Sequence, residues 1–191
     1  MNAASKPRPL EPGSLGNGLR LKEVYLHPGQ MYVSKEPVQI SMILGSCAGV
    51  CLYDRWRSIG GATHYMLPKW DGSGQPSPRY GDFAIAALLA QLGALGSQPG
   101  HLEAMVFGGA CMFPAFRPQH GSQDHIGSRN VAVAINALTR LGIAIVTRDT
   151  GGENGRKLRM QCHTGVATSG FTTVRGDFQG ILDESGRSAA W

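Results

Sequence analysis

Residues 39–67 read QISMILGSCAGVCLYDRWRSIGGATHYML. The run Gln39–Asp54 is rich in apolar residues and broken by Gly45 and Gly49, which predicts two buried strand pieces with a bend at Leu44-Gly45-Ser46. Arg55-Trp56-Arg57-Ser58 is polar and short, a turn. Ile59–Leu67 then returns as a strand, and Pro68, which has no ladder N–H, stops it. The two segments flanking the turn form a β-hairpin.

Downstream, Lys69–Arg79 has the composition of a loop. Phe83, Ala87, Leu88, Leu92 and Leu95 recur at helical spacing, with Asp82 at one end and Gly96 just past the other, so a helix is predicted over 82–95. Leu102–Phe107 is a short strand closed by Gly108-Gly109, and Phe113–His125 is a polar loop. A second helix is expected from about Asn130 to Leu141, with Ser128 as N-cap and Gly142 ending it. Ile143–Arg148 reads as strand, Asp149–Gly155 as a tight loop, and Leu158–His163 with Val166–Val174 as a closing hairpin. Each helix precedes a short strand, so the expected class is α+β, with both helices on one face of mixed β-structure. Residues 1–22 read as a flexible N-terminal tail, 23–174 as one domain and 175–191 as a C-terminal tail.

The chain has 191 residues, 42% of them hydrophobic and 16% charged, a balance that closes a core and differs from that of disordered chains. Its 27 glycines are about twice the usual share, which implies many tight turns. The net charge of +5 comes from scattered Lys and Arg without a dense run, so no nucleic-acid partner is expected. No apolar stretch reaches the ~20 residues that span a bilayer, and the N-terminal residues lack a signal-peptide block. The expectation is a cytoplasmic protein without membrane insertion.

The residue types with reactive chemistry concentrate in the hairpin. A two- or four-residue turn centred on Arg55 and Trp56 places Cys47 directly opposite His64, close enough for thiol and imidazole to pair. An imidazole beside a thiol can take its proton and make it a nucleophile for a carbonyl carbon. Gly45 and Ser46 then allow backbone N–H groups to approach a developing oxyanion. His64 needs an orienting acceptor, and Ser41 reaches it only if the chain turns at Gly45. A zinc site through Cys47, Cys51 and His64 with Cys111 or Cys162 is a competing reading, weakened by the absence of a C-x2-C pair. Cys51, Cys111 and Cys162 otherwise read as apolar filler, and the remaining histidines receive no role.

LGSCAGVCLYD followed by GGATHYMLP resembles the chemoreceptor glutamine deamidases, the CheD family. The likeness continues through Phe107-Gly108-Gly109-Ala110-Cys111-Met112-Phe113, Ile126-Gly127-Ser128-Arg129-Asn130 and Asp149-Thr150-Gly151-Gly152. The resemblance implies a layered α/β sandwich of mixed sheets. It also implies deamidation of receptor glutamines to glutamates by a Cys/His/Thr triad, with Cys47 as nucleophile, His64 as base and Ser41 standing where the family has threonine. Gly108, Gly109, Arg129 and Thr150 become candidate substrate-binding or oxyanion elements at the rim. No metal or organic cofactor is implied. The implied partners are cytoplasmic domains of methyl-accepting chemotaxis receptors and a CheC-type phosphatase, with the protein located at receptor arrays. A chemotaxis adaptor with a dispensable thiol and a general cysteine peptidase are the other readings.

Overall fold

The computed structural model describes residues 21–112 and 124–172. Its elements are β1 (Lys22–Tyr25), β2 (Gln30–Ser34), β3 (Val38–Leu44), β4 (Ala48–Asp54), β5 (Ile59–Tyr65), α1 (Gly81–Ala94), β6 (Leu102–Gly108), α2 (Ile126–Arg140), β7 (Ala144–Thr150), β8 (Arg156–Gln161) and β9 (Ala167–Phe171). The strands form two mixed sheets. One has the order β1-β3-β8-β9 and the other β2-β5-β4-β6-β7. The pairs β1–β3 and β6–β7 are parallel, and the rest are antiparallel.

Three layers result. One face of the five-stranded sheet presents Val50, Leu52, Tyr65 and Val106 to Ile85, Leu88 and Leu92 of α1 and Val131, Ala134 and Leu138 of α2. The other presents Cys51, Ala62, Met105 and Phe107 to Ile40, Met42, Leu44, Leu158 and Met160 of the four-stranded sheet. β4 and β5 therefore lie between two apolar layers and are buried along almost their whole length, whereas β3 alternates between buried and half-buried residues. Each fully buried leucine here contributes roughly 2 kcal/mol. The expected α+β sandwich with both helices on one face is the observed architecture.

The bend expected at Leu44-Gly45-Ser46 is present, and it carries the chain from one sheet to the other. β3 ends at Leu44 in the four-stranded sheet, and β4 begins at Ala48 in the five-stranded one. Residues 45–47 thus lie at the seam between the sheets.

Three local expectations are corrected. The hairpin turn occupies Arg55–Ser58, the segment read as the turn, with Asp54 opposite Ile59, one residue later than the turn centred on Arg55 and Trp56 that pairs Cys47 directly with His64. Asp54 closes it, because its Oδ1 accepts the N–H groups of Trp56 at 3.0 Å and Arg57 at 3.1 Å. The second helix starts four residues early, at Ile126. Its N-cap is His125 rather than Ser128: His125 Nδ1 accepts the Ser128 N–H at 3.3 Å, and Ser128 Oγ accepts the His125 N–H at 3.0 Å. β1 and β2 carried no expectation. Both are short edge strands with a single neighbour each. The tail expectations for residues 1–20 and 175–191, and nearly all of the polar loop Phe113–His125, lie outside the described residues.

Candidate active site at the sheet seam

The shifted turn slides β5 by two positions against β4. His64 lies opposite Gly49, and Cys47 falls in line with Met66 just beyond the ladder. A two-residue slip preserves the face, so Cys47 and His64 both point into the space between the sheets. The register makes them diagonal neighbours, about 7 to 8 Å apart by ordinary sheet spacing, instead of direct partners. Cys47 is half-buried against the inter-sheet core. Gly49 puts no side chain in front of the imidazole; a Cβ there would meet Leu44 Cδ1 and Met42 Sδ at 3.0 Å.

His64 is 2% exposed. Its Nδ1 lies 3.0 Å from the carbonyl oxygen of Leu26. A carbonyl only accepts, so Nδ1 carries the proton and Nε2 presents a lone pair. That Nε2 is buried with no hydrogen-bond partner among the described residues. Burial lowers the imidazole pKa below its ordinary value; the Leu26 carbonyl raises it, and His27 lowers it further. Burial pushes the Cys47 thiol up, opposed by its own backbone N–H. The resting pair is therefore neutral thiol and neutral imidazole.

Ser41 enters through its main chain. Its carbonyl oxygen accepts the Leu26 N–H at 2.9 Å, one link behind the Leu26 carbonyl that holds His64. Its side chain lies on the half-buried, outward face of β3, alternating with buried Ile40 and Met42. The structure therefore brings Cys47 and His64 to one face of the sheet and places the Ser41 hydroxyl on the outer face of the facing one.

The loop bearing Cys47 is pinned at three consecutive carbonyls. Ala110 N–H donates to Gly45 O at 2.8 Å, Asn130 Nδ2 to Ser46 O at 2.9 Å, and Gly109 N–H to Cys47 O at 2.8 Å. Gly108 and Gly109 adopt φ of 96° and 71°, a region that favours glycine. Gly109 uses its N–H to hold Cys47, so it supports the loop from behind. Thr150 ends β7 level with Gly108, and Gly151 N–H bonds Gly108 O at 2.8 Å. Arg129 is exposed on α2 and ion-pairs with Asp124 at 3.3 Å.

Two buried polar residues at this seam, Asn130 and Arg156, received no functional role from the sequence. Asn130 is fully buried and donates from the same Nδ2 to Met66 O at 3.0 Å, while Tyr65 Oη donates to Asn130 O at 2.7 Å. Arg156, 2% exposed, donates to the Asp149 carbonyl, to Asp149 Oδ1 at 2.9 Å and to Gly151 O at 2.5 Å, stiffening the Asp149-Thr150-Gly151-Gly152 loop. A signal existed for both: an Asn and an Arg at the mouths of apolar elements, which burial requires to be hydrogen-bonded.

Cys51 and Cys162 are fully buried among Ala62, Met105 and Met160. Burial raises both thiols, Cys162 to about 12. Among the described residues no three His, Cys, Asp or Glu side chains gather as metal ligands, so the zinc ligand set does not assemble. Among the described residues no helix is long and apolar enough to cross a membrane.

Residues 66–169 match the family model described as CheD chemotactic sensory transduction. A relative from Trichlorobacter lovleyi, named "Probable chemoreceptor glutamine deamidase CheD", is 40% identical over 81% of this chain and 93% of its own length. A span of that extent takes in both Cys47 and His64. Identically named relatives from Sulfurimonas denitrificans and Rhodospirillum rubrum are 37% and 42% identical, over 77% and 74% of this chain and 92% and 77% of their own lengths. With more than half of its length inside the family model and relatives at this identity across most of the domain, the chain belongs to the CheD family.

Proposed function

We propose that this protein deamidates glutamine side chains on the cytoplasmic domains of methyl-accepting chemotaxis receptors, with Cys47 as nucleophile and His64 as general base and acid. The observation that carries the reading is the bare Nε2 of His64, on the face that Cys47 shares. A buried imidazole nitrogen without a partner is costly, and here it is the acceptor that a thiol proton requires. The names of the relatives supply the substrate class.

Both groups rest neutral, so the thiol proton moves to Nε2 as Sγ attacks the carboxamide carbon. The C–N bond of the tetrahedral adduct breaks as Nε2 returns that proton to the leaving nitrogen, releasing ammonia and a thioester. Water then attacks the thioester, giving its proton to Nε2. The C–S bond breaks, and the proton returns to Sγ. The sum is glutamine plus water to glutamate plus ammonia. The same thioester route hydrolyses glutamyl methyl esters, with methanol leaving in place of ammonia. Because the substrate glutamine stands on a folded receptor, the protein works at receptor arrays in the cytoplasm. A CheC-type phosphatase is the further partner in this reading.

The test is mass spectrometry of a receptor cytoplasmic domain incubated with wild-type protein or with Cys47→Ala. A mass gain of about 1 Da at particular glutamines with wild type alone is expected. Conversion by neither protein, with receptor binding retained, replaces the enzyme by an adaptor.

A further inference from the structure

We propose that Asn130 is a positioning residue that builds the oxyanion hole by aiming the backbone N–H groups of the Cys47 loop; this rests on the deamidase reading above. In a trans peptide unit the carbonyl oxygen and the following N–H point in opposite directions. Fixing one aims the other. Ser46 O and the Cys47 N–H belong to one peptide unit, and Asn130 Nδ2 holds that oxygen at 2.9 Å. Gly45 O and the Ser46 N–H belong to the preceding unit, whose oxygen Ala110 N–H holds at 2.8 Å. The Cys47 carbonyl, in the next unit, is held by Gly109.

With three successive carbonyls drawn toward α2 and the segment after β6, the Ser46 and Cys47 N–H groups are turned the other way. Neither donates to another residue among the described residues. The Cys47 N–H also works against burial, which pushes the thiol pKa up. Two unspent donors beside a nucleophile are what a tetrahedral oxyanion needs.

Two of the three pins are backbone groups. Only the middle one is a side chain, and it holds the unit that contains the nucleophile's own N–H. Asn130 suits the task chemically. Its Nδ2 supplies both protons, to Ser46 O and to Met66 O at 3.0 Å, tying the nucleophile loop to the chain just after His64. The reverse amide orientation would set Oδ1 against two carbonyl oxygens. Asn130 is fully buried, with no solvent at hand to take over its hydrogen bonds, so its loss releases the Ser46–Cys47 peptide to rotate.

The test compares two reactions of Cys47. Acylation by p-nitrophenyl acetate passes through an oxyanion, whereas alkylation by iodoacetamide does not, and neither requires a receptor. Asn130→Ala and Asn130→Asp are expected to lower the ratio of acylation to alkylation rates about tenfold or more. Receptor deamidation should lose about 10²-fold in kcat with little change in KM. An unchanged ratio in folded variants overturns the proposal, as does a wild-type Cys47 that alkylates but does not acylate. A lowered ratio in the variants, with no receptor deamidation by wild type, sinks the substrate assignment and leaves Asn130 in its role.

Should neither variant fold, the wild type decides. A crystal structure of the hemithioacetal formed on Cys47 by a glutamine-derived peptide aldehyde should place its oxygen about 3 Å from Ser46 N and Cys47 N. An oxygen directed away from both would refute the assignment.

Discussion

His64 Nδ1 stands 3.0 Å from the Leu26 carbonyl oxygen, which fixes the tautomer and leaves Nε2 as the one ring position able to accept a proton. Leu26 is itself held by Ser41 O, so a main-chain relay runs from the central strand of one sheet to the imidazole on the other. The orienting acceptor is thus a neutral carbonyl, not a carboxylate. It steers the ring while adding no negative charge that would make it a permanent cation. The imidazole is therefore uncharged at rest, as the proposed role of base requires.

His64→Gln removes the proposed base and keeps a polar side chain of similar length. The expected loss is about 10²- to 10⁴-fold in kcat, measured by the rate of glutamine conversion on a receptor domain. Binding of the receptor should persist, because His64 is almost entirely buried. A variant with wild-type kcat would remove His64 from the mechanism.

Stability should depend on pH through the same residue. The folded-state pKa of His64 lies below its unfolded value, so the unfolded chain takes up the proton first as pH falls. Its contribution is complete above the unfolded pKa of about 6.5 and is lost as pH drops toward the folded pKa. The raised thiols of Cys47, Cys51 and Cys162 act in the opposite direction. Their contribution is present below the ordinary thiol pKa and is lost as pH rises through the folded values. Thermal melts of wild type and His64→Gln should show the acid slope between about pH 7 and pH 5 reduced in the variant. Equal slopes would mean that other groups dominate.

The core strands, both helices and the bend at Gly45 were legible because each has a dense local pattern: apolar runs, helical spacing, or glycine at a break. β1 and β2 were not, since an edge strand has one neighbour and needs few apolar residues. Arg55–Ser58 is legible as the turn, but the register centred on Arg55 and Trp56 is one residue short of the observed one. The apolar pattern fits either turn, and the choice is made by the Asp54 carboxylate capturing two N–H groups. That one residue converts a direct Cys47–His64 pair into a diagonal one. Leu26 could not be read as the orienting acceptor, because its part is played by a backbone carbonyl that every residue possesses. Asn130 was hidden by the expected helix start: as the first helical residue it looks like part of a cap, whereas in a helix beginning at Ile126 it faces the core.

Ser41→Ala separates the two ways in which Ser41 could matter. The hydroxyl lies on the outer face of β3, and the relay uses the carbonyl, which alanine retains. Deamidation is expected to stay within about threefold of wild type, since a surface hydroxyl away from the reacting atoms carries little free energy. Ser41→Thr should behave alike. A loss of 10²-fold or more in kcat for alanine, restored by threonine, would place the hydroxyl in the relay instead.

Gly108→Ala tests the wall behind Cys47, the proposed nucleophile. Gly108 has φ of 96°, and a Cβ there would collide with the Cys47 carbonyl oxygen and crowd Leu44 Cβ at 3.2 Å. The left-handed backbone alone costs an alanine about 1 to 2 kcal/mol, and the collision adds to it because the opposing atom is main chain. Relief requires the Cys47 peptide to move away from β6, lengthening the Gly109–Cys47 hydrogen bond. Two effects are therefore expected together: a fall in melting temperature of several degrees, and a loss of kcat exceeding what the unfolded fraction explains at the assay temperature. Receptor affinity should change little. A destabilised variant whose folded fraction retains full kcat would show that the Cys47 loop tolerates displacement, and that Gly108 serves the fold alone.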